Sequence, residues 1–374
     1  MKRKIILGLT GSVASILYSK LIEQLGTIGS VDVIVTNNAN AFINTSQLND
    51  SLEKVGGKLY SDYDEWGWSR KIGGGYRLKW EKDDPILHIE LRNKASALVI
   101  APCSANTLAK VSNGICDNLL TTVARAWDFN RPFVIAPSMN THMWNHPITS
   151  VQLNNFMNVS VGNNAVVYPQ NKMLACKTEG VGAMANINDI VATLKNHLTW
   201  NFPLKKHECS GIPIHNHPGS FLCKRKHHTH TGVDLYTKDG ASVYAVEDGV
   251  IVGIEHFTGP QDNSPWWENT DCILVEGSTG VVCYGEVTPA KFLKVGDRVV
   301  RGSCIANVKR VLKQGKERTD IPGHSTSMLH IEIYPHGKYT AFEEYGDNID
   351  SFDLLRDPTP YLLESVDRPD DLLT

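Results

Sequence analysis

Residues 97–107 read ALVIAPCSANT, and this stretch decides the fold of the first half of the chain. The apolar run from Ala97 to Ile100 has the character of a buried strand, is closed by Pro102, and is followed by Ser104, Ala105, Asn106 and Thr107 where a helix begins. A strand end that opens into a helix N-terminus offers backbone N–H groups and hydroxyls to an anion or a planar ring. Working outward, strands are expected at 4–9, 31–36, 97–101, 133–136 and 166–168, and helices at 15–25, 105–111, 118–127, 149–156 and 187–196. This alternation predicts an α/β fold, a parallel sheet with helices on both faces whose ligands sit beyond the carboxyl ends of the strands. Gly8, Gly11, Ser12 and Val13 fall at the first such end, and Thr36, Asn37 and Asn38 at the second. Ser104 to Thr107 stand at a third, and Pro137 to Asn140, with Ser138, at a fourth.

The pattern changes near Trp200. Short β-branched runs at 243–245, 250–255, 272–275, 281–284 and 329–334, with turn signals at Asp248-Gly249 and Gly296-Asp297, predict an all-β second half. The expected division is a domain at 1–200, a linker or entry strap at 201–229 without clear periodicity, a β domain at 230–365 and an acidic tail at 366–374. A chain of 374 residues is long enough for two cores. With 37 Lys and Arg against 40 Asp and Glu and no basic block, neither nucleic acid nor an anionic membrane is expected as a partner. The apolar run after Met1-Lys2-Arg3-Lys4 breaks at Gly8 and Gly11, too short for a secretory or membrane-spanning segment, so a cytoplasmic location is expected. The eight scattered cysteines then read as free thiols.

In the second half, His230-Thr231-Gly232-Val233-Asp234 sets an imidazole and a carboxylate four residues apart at the entrance to a strand, and His330 lies far downstream in Leu329-His330-Ile331-Glu332. Two nitrogens and one oxygen, with room for water, suit an open zinc site. The linker is crowded with His207, Cys209, His215, His217, Cys223, His227 and His228, but their spacing fits no common zinc module.

The run APCSANTLAKVSNGICDNLLTTVARAW at 101–127, followed by PSMNTHMW at 137–144, resembles the flavin-dependent cysteine decarboxylases. That resemblance implies a flavodoxin-like fold, FMN as cofactor and a small-molecule thiol acid as substrate. The substrate it implies is phosphopantothenoylcysteine, converted to phosphopantetheine in coenzyme A biosynthesis; a peptidyl cysteine is the alternative, and a flavoprotein subunit without turnover a third. In this family the flavin takes a hydride from the thiol carbon, which gives the departing carboxylate an electron sink, and later returns it. The resemblance assigns FMN contacts to Gly11, Ser12, Val13, Thr36, Asn37, Asn38, Ser104, Ala105, Asn106, Thr107 and Ser138. It places a catalytic histidine at His88, a substrate-carboxylate amide at Asn140, substrate contacts at Met173, Leu174 and Ala175, and a proton donor at Cys176. It also implies a homotrimer, or a multiple of three, with flavins between subunits. Two positions depart from the pattern: Lys177-Thr178 replaces the family's Gly-Asp, and Leu17 stands where a lysine is usual. Residues 73–84 look like an insertion.

From about residue 213 to 362 the chain resembles the lysostaphin-like (LytM-type) zinc endopeptidases, which implies metal ligation by His230, Asp234 and His330. Active members carry His-x-His at the last motif and Tyr-Ala-His upstream. Here Met328 replaces the first histidine and the second motif reads Tyr284-Gly285-Glu286, so metal binding without peptidase activity is expected, with a cytosolic peptidase using Glu286 or His324 as the alternative.

Overall fold

Leu98, Val99 and Ile100 are fully buried, as a strand covered on both faces must be. The computed structural model describes residues 3–66, 70–72, 75–77, 84–129, 131–159, 163–173, 179–225, 229–261, 265–316, 327–338, 355–366 and 372–373. The chain divides into two compact units, Met1–Leu198 and Thr199–Thr374.

In the first unit six parallel strands run in the order Leu59–Ser61, Ser30–Val35, Lys4–Leu9, Ala97–Cys103, Phe133–Pro137, Asn164–Val166. Without the short edge strand Leu59–Ser61 this is the flavodoxin-like order 2-1-3-4-5. Alternation along the strands divides the core. Ile5, Leu7, Val31, Val33, Val99 and Val134 pack with Leu21 and Ile22 of helix Tyr18–Leu25 and Ile190 and Leu194 of helix Ile187–Leu198. Ile6, Ile34, Leu98, Ile100 and Ile135 pack on the opposite face with Leu120 and Val123 of helix Leu119–Arg125 and Leu153 and Phe156 of helix Pro147–Val159. The strand order reverses between Lys4–Leu9 and Ala97–Cys103, so a crevice opens at their carboxyl ends.

Several short elements escaped the sequence reading, three of them between residues 45 and 66. Helix Thr45–Val55 is mostly polar, with Leu48 and Leu52 as its buried stripe, yet Asn44 caps it and Gly56 ends it in the left-handed conformation. Strand Leu59–Ser61 and helix Asp62–Trp66 are too short to show a period. The strand expected at 166–168 forms at Asn164–Val166, because Asn163 O and the backbone of Phe133 set the register. Within 73–84, Gly75–Arg77 pairs with Arg70–Ile72; most of the remainder lies outside the described residues.

The second unit is an antiparallel sheet of eight strands among the described residues. Its main path runs Val233–Thr237, Ser327–Tyr334, Val281–Pro289, Thr270–Gly277, Gly249–Thr258, Arg298–Val299, with Ser242–Tyr244 and Cys304–Val308 pairing beside it. Val233, Leu235, Val282, Tyr284, Leu329, Ile331 and Ile333 face one core. Phe202, Leu204 and Ile212, from the aperiodic stretch at 201–229, belong to that same core, and Ile212–Pro213 pairs in parallel with Leu372–Leu373.

Tyr284 is fully buried, and its hydroxyl accepts a hydrogen bond from the Val246 N–H at 2.8 Å. Tyr284→Phe strands that N–H in the core and is expected to destabilise the chain by about 1–3 kcal/mol, read as a lower denaturant midpoint at unchanged slope.

Candidate active site and metal centre

Three of the four polar strand ends in the first unit, and the loop at the fourth, meet through specific contacts. The Ser12 hydroxyl donates to Ser138 Oγ at 3.0 Å, which joins the first strand's end to the fourth's. Thr10 Oγ1 donates to Pro102 O at 2.7 Å and accepts from the Ser104 N–H at 2.9 Å, which ties in the third. Gly11 packs so closely on the second that an added Cβ would stand 2.6 Å from Asn38 Cβ, and the backbone there must stay bare. Ser104 caps helix Ala105–Asn113 by accepting from the Thr107 N–H at 3.3 Å. Thr36, Thr107 and Ser138 are buried; Val13, Asn37, Asn38 and Asn106 are exposed, and Ser104 and Ala105 lie between. Bare backbone, hydroxyls and a helix N-terminus beside exposed Val13, Ile16 and Leu17 fit a phosphate joined to a flat apolar ring, as in a flavin.

Asn140 opens helix Thr141–Trp144, its side chain accepting from the Met143 N–H at 2.9 Å, with an exposed position in the loop after Ser138. The preceding Met139 N–H donates to Gly182 O at 3.0 Å, so strand Glu179–Ala183, paired with Gln170–Met173, is held against this loop. Met173 ends the first arm of that hairpin. Leu174, Ala175, Cys176 and Lys177 lie outside the described residues.

His88 is gripped by a residue that the sequence reading missed. Buried Glu65 accepts from the His88 N–H at 3.0 Å and bonds the ring at Nδ1, which fixes the ring's orientation and its hydrogen-bonded nitrogen. Glu65 lies 23 residues upstream on a five-residue helix, where no local period marks it. Among the described residues no hydrogen bond joins His88 to the Ser12–Ser138 cluster.

In the second unit His230, Asp234 and His330 offer donor atoms within 4.8 Å of one another, all buried. Asp234 Oδ1 lies 3.0 Å from His230 Nε2 and 2.7 Å from His330 Nδ1, and the two nitrogens are 3.2 Å apart. Each ring is oriented from behind: His230 Nδ1 faces Ser220 O at 2.9 Å and His330 Nε2 faces Glu332 Oε1 at 3.0 Å. Arg225 bonds Asp234 Oδ2, leaving Oδ1 for the cluster, and Thr231 and Tyr334 hydroxyls donate to Glu332. Burial alone would raise the Asp234 carboxyl, but His230 and His330 hold it well below the usual carboxylate range. Burial likewise opposes protonation of His330, yet its bonds to Asp234 and Glu332 carry it up to about 10. Two nitrogens and one oxygen, each with a supporting partner, fit a zinc ion. Among the described residues the linker's histidines and cysteines form no second such group; His217 Nδ1 accepts from the Gly219 N–H at 3.1 Å, and His227 and His228 lie outside those residues.

Met328 shares the strand of His330, and His324 lies outside the described residues. Glu286 is buried, accepts from the hydroxyls of Thr258 and Thr270 at 2.9 Å each, and is pushed up to about 7 by that burial. Of the supporting groups, Glu332 was legible from strand alternation, two residues past His330; Arg225 had no such signal.

Residues 1–199 match the flavoprotein family, and residues 228–342 match Peptidase family M23. A probable phosphopantothenoylcysteine decarboxylase of Arabidopsis thaliana is 39% identical over 205 residues, 55% of this chain and 92% of that protein. The phosphopantothenoylcysteine decarboxylase of Mus musculus is 41% identical over 199 residues, 52% of this chain and 86% of that protein. A solved phosphopantothenoylcysteine decarboxylase mutant complexed with pantothenoylaminoethenethiol is 39% identical, covering 52% of this chain and 98% of that chain with a TM-score of 0.45. The strand ends drawn together around Ser12 and Ser138 are thus those of a member of the flavoprotein family, which carries a peptidase family M23 domain at its C-terminal end.

Proposed function

We propose that the N-terminal unit binds FMN and decarboxylates phosphopantothenoylcysteine to phosphopantetheine, a step of coenzyme A biosynthesis, in the cytoplasm. The observation that carries this reading is the Ser12–Ser138 junction with Asn140 two residues beyond, in a half of the chain that is 39–41% identical, over 199–205 residues, to phosphopantothenoylcysteine decarboxylases. Bound there, FMN would supply reversible hydride acceptance at the thiol carbon, the electron sink that a cysteine carboxylate lacks. The residues at the four strand ends hold the cofactor, and Asn140, an uncharged amide, holds the substrate carboxylate without opposing its loss. Met173, Leu174 and Ala175 contact the substrate. His88, aimed by Glu65, serves as base or orients the thiol acid, and Cys176 supplies the final proton. Leu17, 42% exposed where a lysine would meet a phosphate, favours a peptidyl cysteine as the second reading.

In the C-terminal unit His230, Asp234 and His330 hold one zinc ion, and Met328 in place of a histidine argues against peptidoglycan cleavage. No helix among the described residues is long and apolar enough to cross a membrane. The assembly is a homotrimer or a multiple of three, and exposed Val13, Ile16 and Leu17 beside the polar strand ends supply apolar surface for it.

Purified protein incubated with phosphopantothenoylcysteine or a C-terminal cysteinyl peptide should release carbon dioxide from one of them by mass; loss from neither rejects both substrates. His88→Asn should stay yellow with FMN and lose decarboxylation, whereas Cys176→Ser should release carbon dioxide and stall before the protonated product. Light scattering should give three chains or a multiple; a monomer that retains FMN contradicts the assembly. Elemental analysis should find one zinc per chain, and Glu332→Gln, which removes the carboxylate behind His330, should weaken zinc by about 10–100-fold.

A further inference from the structure

The strand that carries Glu286 does not alternate regularly. Ile273 pairs with Tyr284 and Asp271 with Val287, so three steps on one strand oppose two on its neighbour. Tyr284 and Val287 both point into the main core, and the two residues between them therefore share the opposite face. One is Gly285, directly opposite His330 and pressed so closely on the Phe257 ring that an added Cβ would lie 2.4 Å from it. The other is Glu286, the sole non-glycine of the sheet strands with positive φ among the described residues, at 61°. An unstrained strand would have turned Glu286 into the core; the bulge turns it toward the metal-ligand face instead.

That face carries Asp234, His330 and Glu286 on three consecutive strands, Asp234 opposite His330 and His330 opposite Gly285. Glu286 follows directly on Gly285, the partner of His330, yet its carboxylate falls outside the group of three donor atoms. It is therefore a neighbour of the metal position and not a fourth ligand. Thr258 and Thr270 both donate to Oε2, which orients the carboxylate. Met328, on the same face as His330 two residues before it, has no basic atom for a proton from water.

We propose that Glu286 is the proton acceptor of a metal-dependent hydrolytic site in the C-terminal unit, acting on a neutral acyl substrate, an amide or an ester. This rests on zinc ligation by His230, Asp234 and His330 and reverses the sequence-based expectation of metal binding without hydrolysis. In the reaction water adds to the acyl carbon and gives a proton to Glu286. The bond from carbon to the leaving nitrogen or oxygen then breaks, and the Glu286 proton departs with the amine or alcohol. The products are a carboxylic acid and the amine or alcohol; the acid then gives its proton to the released amine or, for an ester, to solvent, with no change of oxidation state. The bulge places a carboxylate where, among the described residues, strand position 328 offers a methionine and no basic group, and the two threonines hold it there at the cost of an unfavourable backbone conformation.

The test uses the full chain loaded with zinc, p-nitrophenyl acetate as probe, and zinc affinity from competition with a chromophoric chelator. Wild type should hydrolyse the ester in a zinc-dependent way. Glu286→Gln should lose about 100-fold or more of that rate with zinc affinity unchanged, and Glu286→Asp should keep part of it. Zinc-dependent hydrolysis that survives in Glu286→Gln, or zinc-loaded wild type without hydrolysis, overturns the proposal while leaving the metal site intact. A loss of zinc affinity in Glu286→Gln also overturns it, because the carboxylate would then be a ligand. Failure of wild type to bind zinc removes the metal reading and this proposal together.

Discussion

A strand shows alternate residues to opposite faces, and that constraint sorts nearly every important side chain of this protein into packing or chemistry. In the first unit both faces of the sheet are covered, so the strands are mostly apolar, with Asp32 buried inside one of them against Lys4, and the hydroxyls of the site collect at the strand ends. Ser12, Thr36, Ser104 and Ser138 sit at strand ends for that reason. In the second unit one face packs the main core and the other carries a smaller apolar cluster around Phe257, Cys272, Leu274 and Cys283, beside which Asp234, His330 and Glu332 are buried on the same strands as Leu235, Ile331 and Ile333. Function is thus placed along the edge of one sheet and across the face of the other.

The division was legible where periodicity is strong. Lys4–Leu9, Ala97–Cys103 and Ser327–Tyr334 are runs whose composition alone indicates a strand, and the turn residues beyond them mark the sites. Of the buried group that the fold brings together, His230 and Asp234 were readable from spacing, and His330 from its motif. Glu65 and Arg225 were not, because each is paired with its partner by the fold alone. The bulge at Gly285–Glu286 was hidden for a related reason: one extra residue in a strand changes no composition, yet it reverses the facing of the side chain that follows.

The same logic explains the aperiodic stretch before His230. Phe202, Leu204 and Ile212 each fill a place in the β core without belonging to a long strand, so no period announces them. Tertiary packing, not local propensity, decides their conformation. Arg225 and the Ser220 carbonyl come from that stretch too, and they meet Asp234 and His230 through the fold and not through any local period.

Ser327–Tyr334 lies between Val233–Thr237 and Val281–Pro289, although it is made some ninety residues after the first of them. On the ribosome, Val233–Thr237 must therefore wait with one edge unpaired until this late strand arrives, while the parallel sheet of the first unit has already received all its strands. The order of synthesis thus makes the flavoprotein half the early-folding part and leaves the β half an exposed strand edge for a long interval. His330 rides on the late strand, so the three clustered donor atoms come together only when that wait ends and the sheet closes.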